Sequence, residues 1–335
     1  MNVKALVTGA TGFLGRHLAE TLISRGWEVT ALGRNQTVGA ELAASGMRFV
    51  QADLADEAAV VAACAGQDTV FHAGALSSPW GPYAAFHRAN VLGTRHVIAG
   101  CRRHHVQRLI HVSTPSLYFT GSDRLNIRES EPLPPRFVNA YAQTKFLAEN
   151  EIDRAFEQGL PVITIRPRGI FGPGDTAIMP RLIRAARRGV LPIFGSGDAQ
   201  VDVTHVDNVV AALLQCQRAP AGALGGKYNI TNGEPRAVLP FLQQVFAALG
   251  IPFQPLRIPL PLALTLAGCL ETGARLWGGN EPVLTRYAVG LLGTSQTLDL
   301  TAARQQLGYE PTVSLEQGIE RYARWWKAQQ ASVSS

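Results

Sequence analysis

A short apolar strand that runs directly into a glycine-rich turn is the feature that most constrains this chain. The strand pattern at residues 4–8 is followed by three glycines, Gly9, Gly12 and Gly15, and then by a helical pattern with its apolar residues on one face. Glycine permits a tight turn and a close approach of the backbone to a phosphate, and N–H groups at the start of a helix bind anions. A strand, turn and helix in this order predict a dinucleotide-binding site, with a turn that binds no ligand as the alternative. We place cofactor contacts at Gly9, Thr11, Gly12, Phe13, Leu14 and Gly15.

The residues after the second strand pattern indicate which dinucleotide binds. In the usual dinucleotide-binding sequence, an acidic residue at this point binds the ribose hydroxyls of NAD. This chain has Gly33 and Arg34 there instead. Glycine leaves room for a 2′-phosphate and arginine binds it through charge-assisted hydrogen bonds, so we predict NADP(H), with NAD(H) as the alternative cofactor. We place Asp53, after the third strand, near the adenine amino group, and capping of the next helix is its alternative role.

The order of strand and helix patterns predicts the fold class. In the first half of the chain, short β-branched runs alternate with helical patterns, and a further helix and strand begin at Asn139 and Val162. This alternation is typical of an α/β protein with a Rossmann-type, doubly wound parallel sheet. After Gly172, proline and glycine become frequent, which favours a smaller, interleaved substrate-binding region. The expected boundaries are a dinucleotide-binding domain at 1–171 with returning segments near 200–232, a substrate-capping region at 172–199 and 233–330, and a tail at 331–335.

Tyr141 and Lys145 form a candidate catalytic pair. Their spacing places a phenol and an ammonium on one face of a helix, and this helix follows the strand that ends at Ser113 and Thr114. Ligands bind at the carboxyl ends of strands in sheets of this kind. A phenol is a poor acid or base at neutral pH, and a neighbouring ammonium is expected to lower its pKa by favouring the phenolate. With Thr114 as a donor to a substrate oxygen, this set predicts proton transfer between an alcohol and a ketone.

Short motifs spread along nearly the whole chain resemble those of the extended short-chain dehydrogenase/reductase family. They are Thr8-Gly9-x-x-Gly12-x-x-Gly15, Asp53-Leu54, residues 71–75, residues 90–94, Ser113-Thr114-x-x-Leu117-Tyr118, Tyr141-x-x-x-Lys145, Arg166-Pro167 with residues 171–175, and His205-Val206-Asp207. The resemblance implies Thr114, Tyr141 and Lys145 as the catalytic triad, with Lys145 also holding the nicotinamide ribose. The further cofactor contacts that we predict are Leu54, Ala73, Gly74, Ala75, Ser113, Pro167 and Ile170. The candidate substrate contacts are Ser77, Tyr118, Arg168 and His205, and a structural role is the alternative for His205.

Sequence differences from neighbouring branches of this family restrict the reactions that we expect this chain to catalyse. Nucleotide-sugar dehydratases carry Asp-Glu directly after the catalytic threonine, whereas this chain has Pro115 and Ser116. Nucleotide-sugar epimerases place an arginine for the diphosphate where this chain has Val201. The remaining pattern resembles the 3β-hydroxysteroid dehydrogenase branch, and residues 113–119 together with Arg34 are most similar to bacterial 2-alkyl-3-oxoalkanoate reductases. The resemblance implies reduction of a ketone, or oxidation of the matching alcohol, on a hydrophobic substrate.

Two other functions remain open from the sequence. One is a nucleotide-sugar epimerase, and the other is a non-catalytic regulator that senses NADP. The presence of Thr114, Tyr141 and Lys145 argues against the regulator, because a sensor needs no proton-transfer site.

Composition narrows the expected partners. The net charge is +6, but the basic residues are spread along the chain, so we predict no nucleic-acid partner. The four cysteines lie far apart without zinc-ligand spacing, so we predict no metal site. Residues 1–8 leave no room for a signal peptide, and we expect a cytoplasmic protein that forms a homodimer. Residues 258–278 are apolar and interrupted by proline, so we expect a substrate channel, a peripheral membrane or partner-protein contact, or ordinary packing there rather than a membrane span.

Overall fold

A computed structural model of the protein describes residues 2–187, 189–278 and 280–334. The helices in these ranges are α1 Phe13–Ser24, α2 Gln36–Ala44, α3 Glu57–Ala63, α4 Tyr83–Phe86, α5 Gly93–Arg103, α6 Ala140–Glu157, α7 Ile178–Ala186, α8 Val206–Arg218, α9 Val238–Leu249, α10 Leu260–Leu276, α11 Arg286–Gly293 and α12 Leu315–Ser334. The strands are β1 Lys4–Thr8, β2 Glu28–Gly33, β3 Arg48–Gln51, β4 Thr69–His72, β5 Arg108–Val112, β6 Arg124–Ile127, β7 Val162–Pro167, β8 Ile170–Phe171, β9 Leu191–Phe194, β10 Gln200–Val201, β11 Thr204–His205, β12 Lys227–Ile230, β13 Arg236–Ala237, β14 Pro255–Ile258 and β15 Gln296–Leu298.

The main sheet is parallel and is covered by helices on both faces. Its strand order is β12-β7-β5-β4-β1-β2-β3, and each neighbouring pair is parallel. One core lies between the sheet and helices α1 and α8, and a second lies between the sheet and helices α3, α5 and α6. Strands β4 and β7 are buried along their whole length, as expected for a sheet with two covered faces. The predicted fold class, a Rossmann-type doubly wound sheet, is confirmed.

The smaller region is interleaved with the main sheet. A four-stranded sheet of order β13-β10-β15-β6 takes its strands from widely separated parts of the chain. Strand β6 lies between β5 and α6, inside the range expected for the dinucleotide-binding domain, because the segment between them leaves the main sheet and pairs with β15. Strand β12 then returns to pair with β7. Residues 331–334, where we expected a tail, belong to α12, and Ser335 lies outside the described residues.

The apolar segment at residues 258–278 is mostly helix α10. Ala263 and Ala267 are buried in a small core that Val289 of α11 shares. The exposed large side chains of this segment are Leu262, Leu266, Leu270, Leu276 and Trp277. Among the helices described, none is both long enough and apolar enough to cross a membrane. A membrane or partner contact at this surface and a homodimer both stay predictions.

A buried ion pair holds α6 against the sheet. The Arg166 guanidinium of β7 donates from Nε to Glu149 Oε1 at 2.9 Å and from Nη2 to Glu149 Oε2 at 2.5 Å. The two side chains are only 3% and 2% exposed. Arg166 Nη1 also donates to the Tyr118 hydroxyl, which donates in turn to Asn229 Oδ1. The pair therefore joins α6, β7 and the segment after β5 in one hydrogen-bonded network.

Replacing Glu149 with Gln tests the weight of this pair. We expect Glu149→Gln to lower the free energy of unfolding by about 3–5 kcal/mol, because it leaves the Arg166 charge buried without a counter-charge. Glu151→Gln is the matched control, since Glu151 pairs with Arg95 near the surface, and it should change stability by about 1 kcal/mol or less. Urea unfolding of both variants measures the difference, and equal effects would contradict the assignment.

Candidate active site

The predicted catalytic side chains meet at the carboxyl end of β5. Thr114 follows this strand and caps a short 3₁₀ turn at Pro115–Tyr118. Tyr141 and Lys145 lie one turn apart on α6, whose first turn is capped by the side chain of Asn139. The side chains of Thr114 and Ser77 lie near enough to the Tyr141 hydroxyl to lower its pKa. The structure thus brings the predicted triad and the predicted substrate contact Ser77 together in one site.

The pKa of Tyr141 shifts in the direction opposite to the one expected from the sequence. Burial raises it, and the side chains of Thr114 and Ser77 offset part of this rise. The Lys145 ammonium does not lower it, because Nζ instead donates to the Val112 carbonyl at 2.7 Å and lies 3.3 Å from His111 Nε2. Tyr141 therefore keeps its proton at neutral pH, which is the form that donates to a ketone oxygen.

Lys145 is a buried ammonium with few neighbours that carry charge. Burial lowers its pKa to about 8, and Glu149 one turn further along α6 offsets part of that shift. His111 is buried as well, and burial holds its pKa well below the usual range, so its ring is neutral. Lys145 consequently remains mostly cationic at pH 7 beside a neutral imidazole.

Tyr287 is a residue of this site that the sequence did not indicate. Thr114 Oγ1 donates to Ser116 Oγ at 2.9 Å, and Ser116 Oγ lies 2.7 Å from the Tyr287 hydroxyl. Tyr287 comes from α11 in the smaller region, and its ring packs edge-on against Phe119. A chain of hydroxyls thus runs from Tyr141 to the smaller region. No local motif marks Tyr287, because its contact with Ser116 spans 171 residues of sequence.

Two of the predicted substrate contacts, Tyr118 and His205, have buried side chains in the structure. Tyr118 is fully buried, and its hydroxyl is bonded to Arg166 and Asn229. His205 is also fully buried, caps α8 and packs edge-on against Phe171. Burial lowers the pKa of His205 to about 4, so it is neutral. These contacts place both side chains in the interior of the protein.

The glycine turn after β1 fits the phosphates of a dinucleotide. Gly9 has a φ of +71°, and a Cβ added there would lie 2.6 Å from Gly74 Cα. A Cβ added at Gly15 would lie 2.2 Å from the Gly9 carbonyl oxygen. Helix α1 begins after Gly12, its first N–H groups have no acceptor within the helix, and among the described residues no side chain caps them. Such a helix start, with backbone alone around it, suits a bound phosphate.

Two arginines flank the predicted adenosine end of the site. Arg34 Nη1 lies 3.6 Å and Arg88 Nη2 lies 3.9 Å from Asp53 Oδ2. Arg88 was not indicated by the sequence, because it comes from the π-helical segment between α4 and α5. Asp53 does not cap α3, a role that Asp56 fills.

Packing is a second reason for a glycine at position 33, besides the room that Gly33 leaves for a 2′-phosphate. A Cβ added at Gly33 would lie 2.5 Å from Thr11 Oγ1. The side chain of Thr11 therefore requires glycine at this position, whichever dinucleotide binds.

The other predicted cofactor residues lie at the same edge of the sheet. Gly74, between Ala73 and Ala75, donates from its N–H to Thr8 Oγ1 at 3.1 Å, and Leu54 lies against it. The Ser113 hydroxyl is buried with no hydrogen-bond partner among the described residues, which leaves it free for a ligand. Pro167 ends β7 and Ile170 begins β8. Within the described part of the chain, no group of three or more His, Cys, Asp and Glu side chains is placed to hold a metal ion.

Known proteins resemble this chain in sequence and in structure. Residues 5–231 match the NAD dependent epimerase/dehydratase family. The chain is 39% identical over 328 residues to the 2-alkyl-3-oxoalkanoate reductase of Stenotrophomonas maltophilia, with 95% of this chain and 98% of that protein covered. It is 34% identical over 331 residues to the decarboxylating sterol-4-alpha-carboxylate 3-dehydrogenase of Mus musculus, with 95% and 89% covered. The solved structure of UDP-glucose 4-epimerase from Thermotoga maritima has a TM-score of 0.79 at 22% identity, with 98% of this chain and all of that chain covered (100%).

The chain belongs to the NAD dependent epimerase/dehydratase family, that is, to the extended short-chain dehydrogenases/reductases. It is an NAD(P)-dependent oxidoreductase, and the predicted family is confirmed.

Replacing Tyr141 with Phe removes the phenol hydroxyl and keeps the ring. We expect turnover of a ketone by Tyr141→Phe to fall by about 100-fold or more, the usual contribution of a positioned general acid, while the cofactor Kd stays nearly unchanged. Oxidation of the reduced cofactor measures turnover, and quenching of protein fluorescence measures the Kd. Tyr83→Phe, at an exposed tyrosine, is the matched control. Turnover close to that of the natural protein in Tyr141→Phe would remove Tyr141 from this role.

Proposed function

We propose that this protein uses NADPH to reduce the ketone of a hydrophobic 3-oxo acid, or oxidises the matching 3-hydroxy acid. The observation that carries this proposal is the group of hydroxyls around Tyr141. Thr114, Ser77 and Ser116 bring hydroxyls to Tyr141 and its neighbours, and Pro115 and Ser116 stand where an elimination needs carboxyl side chains. A site with a phenol acid and no carboxyl partner in the described residues suits alcohol–ketone conversion better than elimination.

The residues of the site divide the work of this reaction. A bound nicotinamide cofactor supplies the hydride in reduction. Tyr141 donates its proton to the substrate oxygen, and Thr114 orients both groups. Lys145, cationic and held by the Val112 carbonyl, is the residue that would hold the nicotinamide ribose. The free hydroxyl of Ser113 and the glycine turn complete the contacts with the cofactor.

The names of two relatives support the substrate class. One is a 2-alkyl-3-oxoalkanoate reductase, and the other acts at position 3 of a sterol 4-alpha-carboxylate. In both names the reacting carbon is next to a carbon that carries a carboxylate and further carbon substituents. We assign the same arrangement to the substrate of this chain.

A nucleotide-sugar epimerase is the second candidate. The likeness to UDP-glucose 4-epimerase favours it, but at 22% identity that likeness concerns the fold. Val201 is buried in β10, where the family resemblance expects an arginine for the diphosphate. The oxo-acid proposal therefore has stronger support than the epimerase. A non-catalytic sensor also has less support, because it needs neither the hydroxyls around Tyr141 nor Lys145.

The cofactor preference can be tested at Arg34. We expect NADPH to be preferred over NADH, and Arg34→Ala to reduce this preference by roughly 10- to 100-fold, the equivalent of about 1.5–3 kcal/mol for hydrogen bonds to a charged group. Values of kcat/KM with each cofactor measure the ratio. Arg48→Ala, at an exposed arginine of β3, is the control. Equal kcat/KM for both cofactors in the natural protein would contradict the prediction.

The substrate class can be tested with a graded series of compounds. We expect kcat/KM to rise as the alkyl chains of 2-alkyl-3-oxo acids lengthen, because each buried methylene contributes about 0.8 kcal/mol, until the site is full. NADPH oxidation against the series measures this trend, with a UDP-sugar and a short polar ketone as comparison substrates. Faster turnover of either comparison substrate would exclude the hydrophobic-acid proposal.

A further inference from the structure

A buried guanidinium lies at the edge of the sheet that carries the active site, and it has no ion-pair partner among the described residues. Arg168 follows β7 directly and is only 5% exposed. Its guanidinium donates from Nη1 to Gln296 Oε1. In the described part of the chain, no carboxylate oxygen lies within 4.0 Å of this guanidinium, the distance limit for an ion pair. An arginine has five N–H groups to satisfy, so most of the donors of Arg168 are left without a described acceptor.

This arrangement is unusual, because an arginine is almost never buried unless it is paired. Arg166, two residues earlier, is paired with Glu149 through two hydrogen bonds. Asp202 attracts Arg168 over a longer distance, but its Oδ2 accepts from the Leu298 N–H at 2.7 Å. Burial lowers the pKa of Arg168, although the side chain remains protonated. An anion from outside the chain can pair with this guanidinium.

The position of Arg168 connects it with the reacting atoms. Strands β5 and β7 are parallel neighbours, and the Ser113 N–H donates to the Ile165 carbonyl at 2.7 Å. Thr114 and Arg168 therefore leave the sheet at the same edge from adjacent strands. Tyr287, which is hydrogen-bonded to Ser116, is also close enough to Arg168 to act on its charge.

We propose that Arg168 binds the carboxylate of the substrate while Tyr141 protonates the ketone oxygen. The ketone carbon is the neighbour of the carbon that carries the carboxylate. This inference rests on the proposed function. It adds recognition of the carboxylate, which distinguishes the substrate from other ketones. A guanidinium binds a carboxylate through two parallel hydrogen bonds, which fixes orientation as well as position. Gln296 acts as a positioning residue, because it holds Nη1 and leaves the remaining donors for the ligand.

The experiment compares a charged substrate with its uncharged ester. The substrates are a 2-alkyl-3-hydroxy acid and its methyl ester, oxidised with NADP⁺, since 3-oxo acids lose carbon dioxide in solution. We expect the natural protein to prefer the acid over the ester by about 100-fold in kcat/KM, mainly through KM, as for a buried charge pair. In Arg168→Met this ratio should fall close to one, and Arg168→Lys should restore part of it.

Three further measurements keep the result interpretable. Methionine removes a buried charge without a large change in volume, so the midpoint of thermal unfolding should not fall. Gln296→Leu should lower the preference for the acid to an intermediate value. Arg236→Met, at an exposed arginine of the smaller region, is the matched control and should keep the full preference.

Each adverse outcome has a separate meaning. An unchanged ratio in Arg168→Met would overturn the inference and leave the proposed function standing. Weaker NADP⁺ binding in that variant, measured without substrate, would assign Arg168 to the cofactor and overturn it as well. No oxidation of either compound by the natural protein would contradict the proposed function, and the inference with it.

Discussion

The ion pair between Glu149 and Arg166 is the contact on which the geometry of the site depends most. Tyr141 and Lys145 precede Glu149 by two turns and one turn on the same face of α6. Apolar packing alone allows a helix to slide along a sheet, whereas two parallel hydrogen bonds to a strand residue have a direction. The pair therefore fixes the position of α6 along β7. It thereby also fixes the position of the Tyr141 phenol relative to Thr114.

Several positively charged side chains are buried at one edge of the main sheet. Lys145, Arg166 and Arg168 are all buried there, beside the neutral ring of His111, whereas the two cores that flank the sheet are apolar. Burying these groups is unfavourable, and such groups gather where their chemistry is used. Arg166 has its partner inside the chain. Lys145 and Arg168 are the residues that our proposals assign to the cofactor and to the substrate.

The sequence predicted those parts of the site that neighbouring residues determine. The glycine turn and the spacing of Tyr141 and Lys145 are local, and the structure places them where expected. The predicted direction of the pKa shift at Tyr141 was wrong, because the burial that raises this pKa depends on the whole fold. The burial of Tyr118 was not predicted, because a motif locates a residue after a strand but does not say which way its side chain points. Tyr287 was missed because only the folded chain brings it to Ser116.

The interleaved second sheet also has a consequence for how the chain is made. Strand β6 pairs with β15 near the other end of the chain, so the two cannot meet until most of the protein has left the ribosome. At about 5–20 residues per second, β6 would wait for roughly 9–34 seconds. An unpaired strand is open to pairing with other molecules throughout that time. In β6 the polar residues Arg124 and Asn126 alternate with Leu125 and Ile127, and polar side chains at a strand edge discourage such contacts while synthesis continues.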